Sequence, residues 1–181
     1  MIETMRELVR FCVYDTPKPA GSKRGFAIPV KGQPGKSRVV ITDACKGGPA
    51  WRTAVQDAAR KVYKDGPVQG ESLAVKFIFY VIRPKSHFRT GRYSAFLRDS
   101  APQDPITRPD LLKLARAAED ALTGIIYDDD SRTVKMHLEE RYGNVAGVQI
   151  IVIVGGKNGD EGREEFGSYD AGRTVKETAN D

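Results

Sequence analysis

The chain has 181 residues, two cysteines and a formal net charge of +5, with a pI near 9.2. This length is sufficient for one domain with its own hydrophobic core, so folding requires neither disulfides nor a structural metal. No run of about 18 apolar residues occurs, and the N-terminus mixes acids with bases, so we expect a cytoplasmic protein without a signal peptide or membrane span. Cys12 and Cys45 lack the spacing of a zinc site and are interpreted as ordinary thiols.

Basic residues are concentrated in two windows that contain no acid. The first lies between Asp15 and Asp43, and the second runs from Arg83 to Asp99. Acidic residues collect instead in 104–140 and in the C-terminal tail. This layout is expected where phosphates are bound at the sides of a site and metal ions at its centre. Two solvated loops would give the same pattern, so charge alone leaves the choice open.

The first half of the chain predicts three strands and one helix. Residues 6–15 are rich in β-forming side chains, and 25–30 and 37–44 predict two further strands joined by a basic hairpin link. The link ends in GKS, but only two residues separate its glycines, so it is not a phosphate-binding P-loop. Its basic tip either contacts a DNA backbone or is solvated. A proline at the first helical position predicts a helix over 49–64 that covers the sheet with an apolar face.

The second half begins with a dense apolar run at 73–82, which predicts the central strand of the sheet. Residues 83–108 follow without clear periodicity, and connections of this length are usually functional or disordered. Arginines alternate with aromatic residues there. That arrangement suits base stacking beside phosphate contacts, although the aromatic residues would also serve to hold the loop on the core. Helical spacing then predicts a buried stripe over 110–122, ended by a glycine C-cap.

The last predicted elements are all strands. Residues 124–127 predict a short one, 132–142 a second in which Val134, Met136 and Leu138 face inward, and 145–154 the last. His137 should face outward and is not expected to be catalytic. The whole pattern predicts a single α+β domain over 1–155, with a mixed sheet and two main helices packed on one face. The polar tail at 156–181 is predicted to be flexible.

The predicted chemistry lies in the stretch from Arg108 to Asp130. Asp110 opens a helix, where the positive end of the helix dipole favours a carboxylate. Three consecutive aspartates, 128–130, follow the turn, and adjacent like charges are costly unless a cation or basic side chains relieve them. Hard oxygen ligands suit Mg²⁺ or Mn²⁺, which activate water for phosphodiester hydrolysis. The alternative is a solvated acidic run at the edge of a strand.

The motif PDLLKLARAAEDALTG, followed by a short apolar run and DDDS, resembles the signature of RusA-like Holliday junction resolvases. The preceding RPKSHFRTGR is similar to the same region of phage-type members, and the likeness extends from the first strand to about residue 154. The resemblance implies a RusA-like fold and a homodimeric, metal-dependent endonuclease. Such an enzyme introduces paired nicks into four-way DNA junctions.

The resemblance also implies roles for individual residues. By position, the family's first metal-binding aspartate corresponds to Asp110, and its later aspartate pair corresponds to Asp129 and Asp130. The family's catalytic lysine corresponds to Arg116. Together with Lys113, this arginine would stabilise the charge of the reacting phosphate.

Two departures from the family pattern matter. Leu112 occupies the position where many members have a second aspartate, and Lys113 occupies the next position, where many have asparagine. Arg116, at the position of the catalytic lysine, transfers protons less readily than lysine, although it binds a phosphate bidentately. Glu119 shares a helical face with Leu112 and Arg116. It is a candidate for the missing metal-binding carboxylate, or it pairs with Arg116.

The sequence therefore supports three functional hypotheses. The first is a Mg²⁺- or Mn²⁺-dependent resolvase that acts as a homodimer on branched DNA. The second is a catalytically weakened or inactive junction-binding protein of the same fold, and the third is a protein-binding scaffold that uses the acidic strand edge. In the first two, the DNA contacts are predicted for seven basic residues: Lys23, Arg24, Lys36, Arg83, Lys85, Arg89 and Arg92.

Overall fold

A computed structural model describes residues 6–20, 23–43 and 45–155. The predicted tail at 156–181 lies outside these residues. The elements are β1 (Arg6–Val13), β2 (Lys23–Pro29), β3 (Ser37–Asp43), α1 (Gly48–Val62), β4 (Leu73–Ile82), α2 (Leu111–Leu122), β5 (Thr133–Gly143) and β6 (Gly147–Val154). Within the described part of the chain, no helix is long and apolar enough to cross a membrane.

The main sheet has four strands in the order β1-β6-β4-β5. β4 pairs with β5 in parallel, and the other neighbours are antiparallel. The two strands with the densest apolar runs, β4 and β6, occupy the centre, as expected for strands with limited access to water. β2 and β3 form a separate antiparallel hairpin. The predicted α+β class with a mixed sheet and two helices is confirmed.

Both helices pack on one face of this sheet. α1 contributes Trp51, Val55 and Ala59, which are spaced along one helical face and are almost fully buried. The buried residues of α2 are Leu114, Ala115, Ala117, Ala118, Ala121 and Leu122. The face of β4 that contacts the helices carries Val75, Phe77 and Phe79, each with no exposed surface. These side chains form one hydrophobic cluster, which fixes the position of α2 relative to β5.

The strand predicted at 124–127 is wrong, because this segment forms a tight turn. Gly124 adopts a left-handed conformation with φ 78°, and its N–H donates to the carbonyl of Tyr127 at 2.7 Å. Ile126 and Tyr127 are fully buried within the turn. Their apolar character therefore reflects burial against the core. Tyr127 makes an isolated parallel bridge with Val68, but the segment is not a strand of either sheet, and a short apolar run cannot distinguish these states.

The prediction for β5 holds for Leu138, which packs against the core, but is wrong for Val134, which is 70% exposed. The pairing with β4 passes from Thr133 to Lys135, so Val134 lies in a β-bulge that interrupts the alternation of faces. Met136 keeps the inward register but is 37% exposed because β5 is an edge strand.

Candidate functional site

The candidate site begins at the N-terminus of α2. Asp110 is the N-cap, and its Oδ1 accepts a hydrogen bond from the Leu112 N–H at 3.0 Å. The cap satisfies one of the free donors of the first turn and leaves the carboxylate exposed. Leu112 is itself 70% exposed, so an apolar side chain lies on the surface where the family pattern has a carboxylate. Lys113 and Arg116 are exposed on the same helix.

The turn after α2 brings the acidic triplet back toward the helix. The buried Tyr127 hydroxyl donates to the backbone carbonyl of Glu119 at 3.0 Å, and burial raises the pKa of this phenol. The next residue, Asp128, donates its N–H to the carbonyl of Val68 at 3.3 Å. The segment is therefore held both to α2 and to the chain before β4. As a result, the following residues emerge beside the C-terminal half of α2.

The three aspartates have different environments. Asp128 accepts two hydrogen bonds from Arg132, each 3.0 Å long, and this pairing lowers the pKa of the carboxyl. The Oδ1 of Asp129 accepts a hydrogen bond from the Ser131 N–H at 2.9 Å. Hydrogen bonding by Ser131 lowers the pKa of the Asp129 carboxyl as well. Asp130 is exposed at the start of a short 3₁₀ turn. Asp128 and Asp129 thus have local structural partners, whereas Asp130 faces the solvent beside α2.

Asp130 forms an electrostatic cluster with two residues of α2. Glu119 is partly buried, and this burial is the largest cause of its raised pKa. The negative charges of Asp130 and Asp120 raise it further, while the guanidinium of Arg116 acts in the opposite direction. A hydrogen bond with Thr133 also lowers the pKa of Glu119, and the influence of Asp130 and Arg116 on this carboxyl links the acidic triplet electrostatically to the helix.

Asp110 lies at the opposite end of the helix. Glu119 follows it by nine positions, which correspond to roughly 14 Å along the helix axis. Within the described residues, no three His, Cys, Asp or Glu side chains come close enough to hold one metal ion. Glu119 and Asp130, which interact electrostatically, are the candidate carboxylate pair at this end of the helix. A pair suits Mg²⁺, which is usually bound by one or two carboxylates and completes its octahedron with water and substrate phosphate.

The predicted DNA-binding residues of the hairpin are on the surface. Lys23 and Arg24 are exposed in β2, and Lys36 is exposed at the tip just before β3. No ion pair with an acid is present for these three among the described residues.

The predicted DNA-binding residues of the second basic window divide into two with hydrogen bonds inside the loop and two that are exposed. Arg83 donates to the carbonyls of Pro102 and Gln103 at 2.7 and 3.1 Å and stacks on a tyrosine ring, so it organises the loop. Arg89 is bonded to Asp99 at 2.8 Å. The remaining two, Lys85 and Arg92, are exposed.

The aromatic residues of this connection do not all anchor it to the core. Tyr93 and Phe96 are 47% and 62% exposed and contact each other edge to face. A bridge between Phe88 and Leu97, together with a hydrogen bond from Arg98 to the Phe88 carbonyl at 2.8 Å, holds the loop in shape. The loop is therefore ordered by its own contacts and still presents aromatic faces to solvent.

Comparison with known families identifies the chain. The model of the family described as Endodeoxyribonuclease RusA matches residues 27–153, well over half of the chain. The protein belongs to the RusA endodeoxyribonuclease family. No protein with a curated description matches it. The RusA match includes α1, α2 and the acidic triplet, whereas β1 and the first residues of β2 lie outside it.

Sequence reasoning missed two residues of this RusA-family protein. Lys18 and Arg52 lie beside α2 with Lys23 and Arg116, and all four line one groove. Lys18 belongs to the first acid-free window, which was a usable signal, but Arg52 is an ordinary polar residue of an amphipathic helix. Nothing in its sequence surroundings indicates that it faces α2.

Proposed function

We propose that the protein is a Mg²⁺- or Mn²⁺-dependent endodeoxyribonuclease that resolves four-way DNA junctions by paired nicks. The observation that carries this proposal is the electrostatic interaction of Glu119 with Asp130 and with Arg116, which links the helix of the family motif to the acidic triplet. Two carboxylates beside one guanidinium provide a place for a divalent cation next to a place for a phosphate.

The residues have distinct roles in this proposal. Asp130 and Glu119 would hold a metal ion. Asp110 and Asp129 are the further ligands predicted from the family pattern, but Asp110 lies roughly 14 Å along α2 from Glu119, so it would not hold the same ion as Glu119. When bound, the metal ion supplies an acidified water and neutralises the leaving oxygen. Arg116 would bind the phosphate and stabilise its growing charge.

The raised pKa of Glu119 has a consequence for metal binding. A carboxyl group must be ionised to bind a divalent cation, so protons compete with the metal at this residue. Burial and the neighbouring acids both favour the protonated form of Glu119. We therefore expect metal affinity, and with it cutting, to increase as the pH rises through the raised pKa of this group.

The deciding experiment uses a labelled four-way junction and a duplex of the same arm sequence. Each is incubated with the protein in Mg²⁺, in Mn²⁺ or in EDTA, and the strands are separated on a denaturing gel. We expect symmetric nicks in the junction only, and only with metal present. Equal cutting of the duplex would contradict structure selectivity, and cutting in EDTA would contradict metal dependence.

A second function is favoured by the substitutions in the site. Leu112 stands where many family members have a second aspartate and Arg116 where the family has its lysine, and no group of three metal-binding side chains occurs among the described residues. A protein that binds junctions without cutting them would retain the basic surface and lose the reaction. In the same assay it would shift the junction on a native gel, in a salt-sensitive manner, and leave every strand intact.

The homodimer is part of the proposal because two symmetric nicks require two sites. We expect sedimentation velocity at micromolar concentration to give twice the mass of the 20.0 kDa chain. A monomer that stays a monomer when bound to the junction would contradict paired nicking by one complex.

A further inference from the structure

A cationic groove of about 380 Å³ runs beside the C-terminal half of α2. Its walls come from three parts of the chain: the segment before β2, the first turn of α1, and α2. Four basic side chains line it, and Asp120 is the one acid among its lining residues. The basic residues are Lys18, Lys23, Arg52 and Arg116.

Backbone contacts hold these walls in place. The N–H of Ala20 donates to the carbonyl of Lys113 at 2.9 Å, so the segment carrying Lys18 lies along α2. The guanidinium of Arg52 donates to the backbone carbonyl of Asp120 at 3.1 Å and thereby joins α1 to α2. None of the four basic residues takes part in an ion pair within the described part of the chain. Lys18, Lys23 and Arg52 therefore have no described carboxylate within salt-bridge distance, and Arg116 interacts with Glu119 only at longer range.

The first turn of α1 adds a positive end to the same groove. Its N-cap, Gly47, has φ 84°, makes no side-chain cap, and is followed by no acid in the first turn. A methyl group built at Gly47 would lie 3.4 Å from the Cε of Lys18, so the end of this lysine side chain lies at the helix N-terminus. Cations are unfavourable at this end of a helix dipole, and an anion between the two would relieve the repulsion.

We propose that this groove binds the phosphodiester backbone of DNA next to the strand held at the candidate site. This deepens the proposed function and rests on it for the identity of the nucleic acid. Lys23 begins the basic hairpin and Arg116 belongs to the candidate site, so the groove connects the two along one cationic surface. The phosphates of an extended polyanion can contact basic side chains along the whole groove, whereas a single phosphate ion can contact those at one position only. Lys18 and Lys23 precede the segment that matches the family.

The test measures binding separately from cutting. Anisotropy of a labelled four-way junction is recorded in EDTA, over a range of salt concentrations, for the wild type and for Lys18→Gln and Arg52→Gln. Each substitution is expected to weaken binding about fivefold and to reduce the slope of log K against log salt by about 0.9 per lost phosphate contact. Lys18→Arg should retain the wild-type slope, and Lys61→Gln, on an exposed part of α1, is the matched control for the loss of one charge.

Each outcome has a defined meaning. Wild-type affinity and slope in both Gln variants, with circular dichroism confirming that they are folded, would overturn the groove as a DNA site. Weakened binding in a protein that never cuts would retain the groove and reject the nuclease. If the wild type binds no DNA, thermal shifts with inorganic phosphate decide the remaining case. If phosphate raises the melting temperature of the wild type but not that of Lys18→Gln, the groove is a site for small anions. If phosphate stabilises neither protein, the groove binds no anion. Either result overturns the proposal.

Discussion

Asp110 combines a structural role with a predicted catalytic one, and two substitutions at this position separate them. Its carboxylate caps α2 through a 3.0 Å hydrogen bond from Leu112 N–H. Asparagine is as good an N-cap as aspartate, whereas alanine loses the cap at a cost of about 1 kcal/mol. For a domain of this size, that cost corresponds to a melting temperature lower by about 2–4 °C.

The two variants should therefore differ in stability and agree in activity. Asp110→Asn keeps the hydrogen bond and loses only the interaction of its charge with the helix dipole, about 0.5 kcal/mol, so its melting temperature should fall by at most about 2 °C. Both variants should cut the junction at least about 100-fold more slowly in Mg²⁺, because each removes a predicted metal ligand. Junction binding in EDTA should remain close to wild type.

The assays are a denaturing gel for nicking, anisotropy for binding and calorimetry for unfolding. Asp57→Asn, which removes an exposed acid from α1, is the control and should leave all three unchanged. If Asp110→Asn cuts as fast as the wild type, the assignment of Asp110 to the metal site is wrong. If it loses activity together with junction binding, the carboxylate acts in DNA recognition or folding instead.

Three further substitutions test the site and the sheet. Leu112→Asp places a carboxylate on an exposed position and should increase Mg²⁺-dependent cutting about tenfold, whereas Leu112→Asn should not; equal effects would show that charge is irrelevant there. Because the pKa of Glu119 is raised, its ionisation destabilises the fold as pH rises above about 4.5. Glu119→Gln should therefore gain melting temperature relative to wild type between pH 4.5 and 7.5, and a constant offset would contradict this. The pKa of Glu139 is lowered to about 2, and the largest cause is its hydrogen bond with His137. The ionised carboxylate therefore stabilises the fold fully above pH 4.5, and this stabilisation is lost as the pH falls toward 2. Glu139→Gln should lower the urea midpoint at pH 7 and much less at pH 3, and an equal loss at both would refute the ionic origin.

Several elements could be predicted because their causes are local. The buried stripe of α2 follows from apolar residues at helical spacing, and its ends follow from Asp110 as N-cap and Gly124 after the C-cap. β4 and β6 are recognisable because both consist of dense apolar runs. In each case the residues that decide the structure are neighbours in the chain.

Other features depend on partners that are distant in sequence. The bulge at Val134 arises from how β5 pairs with β4, and alternation along β5 alone does not reveal it. Arg83 and Arg89 stay predicted DNA contacts, and the folded loop also places carbonyl and carboxylate acceptors against their guanidinium groups, which the sequence does not reveal. Local composition cannot distinguish a basic side chain that hydrogen-bonds within its own loop from one that binds a ligand.

The sequence by itself determined the family, the α+β class and the helix-turn-acid unit, because these depend on residue spacing within one continuous stretch. Only the tertiary structure decided which charges meet. Packing of α1 and α2 on one face of the sheet brings Arg52 and Lys18 into one groove with Arg116, and after the buried turn the charge of Asp130 acts on Glu119. Electrostatic interactions depend on distance through space, and that distance is set by the core that holds these elements together.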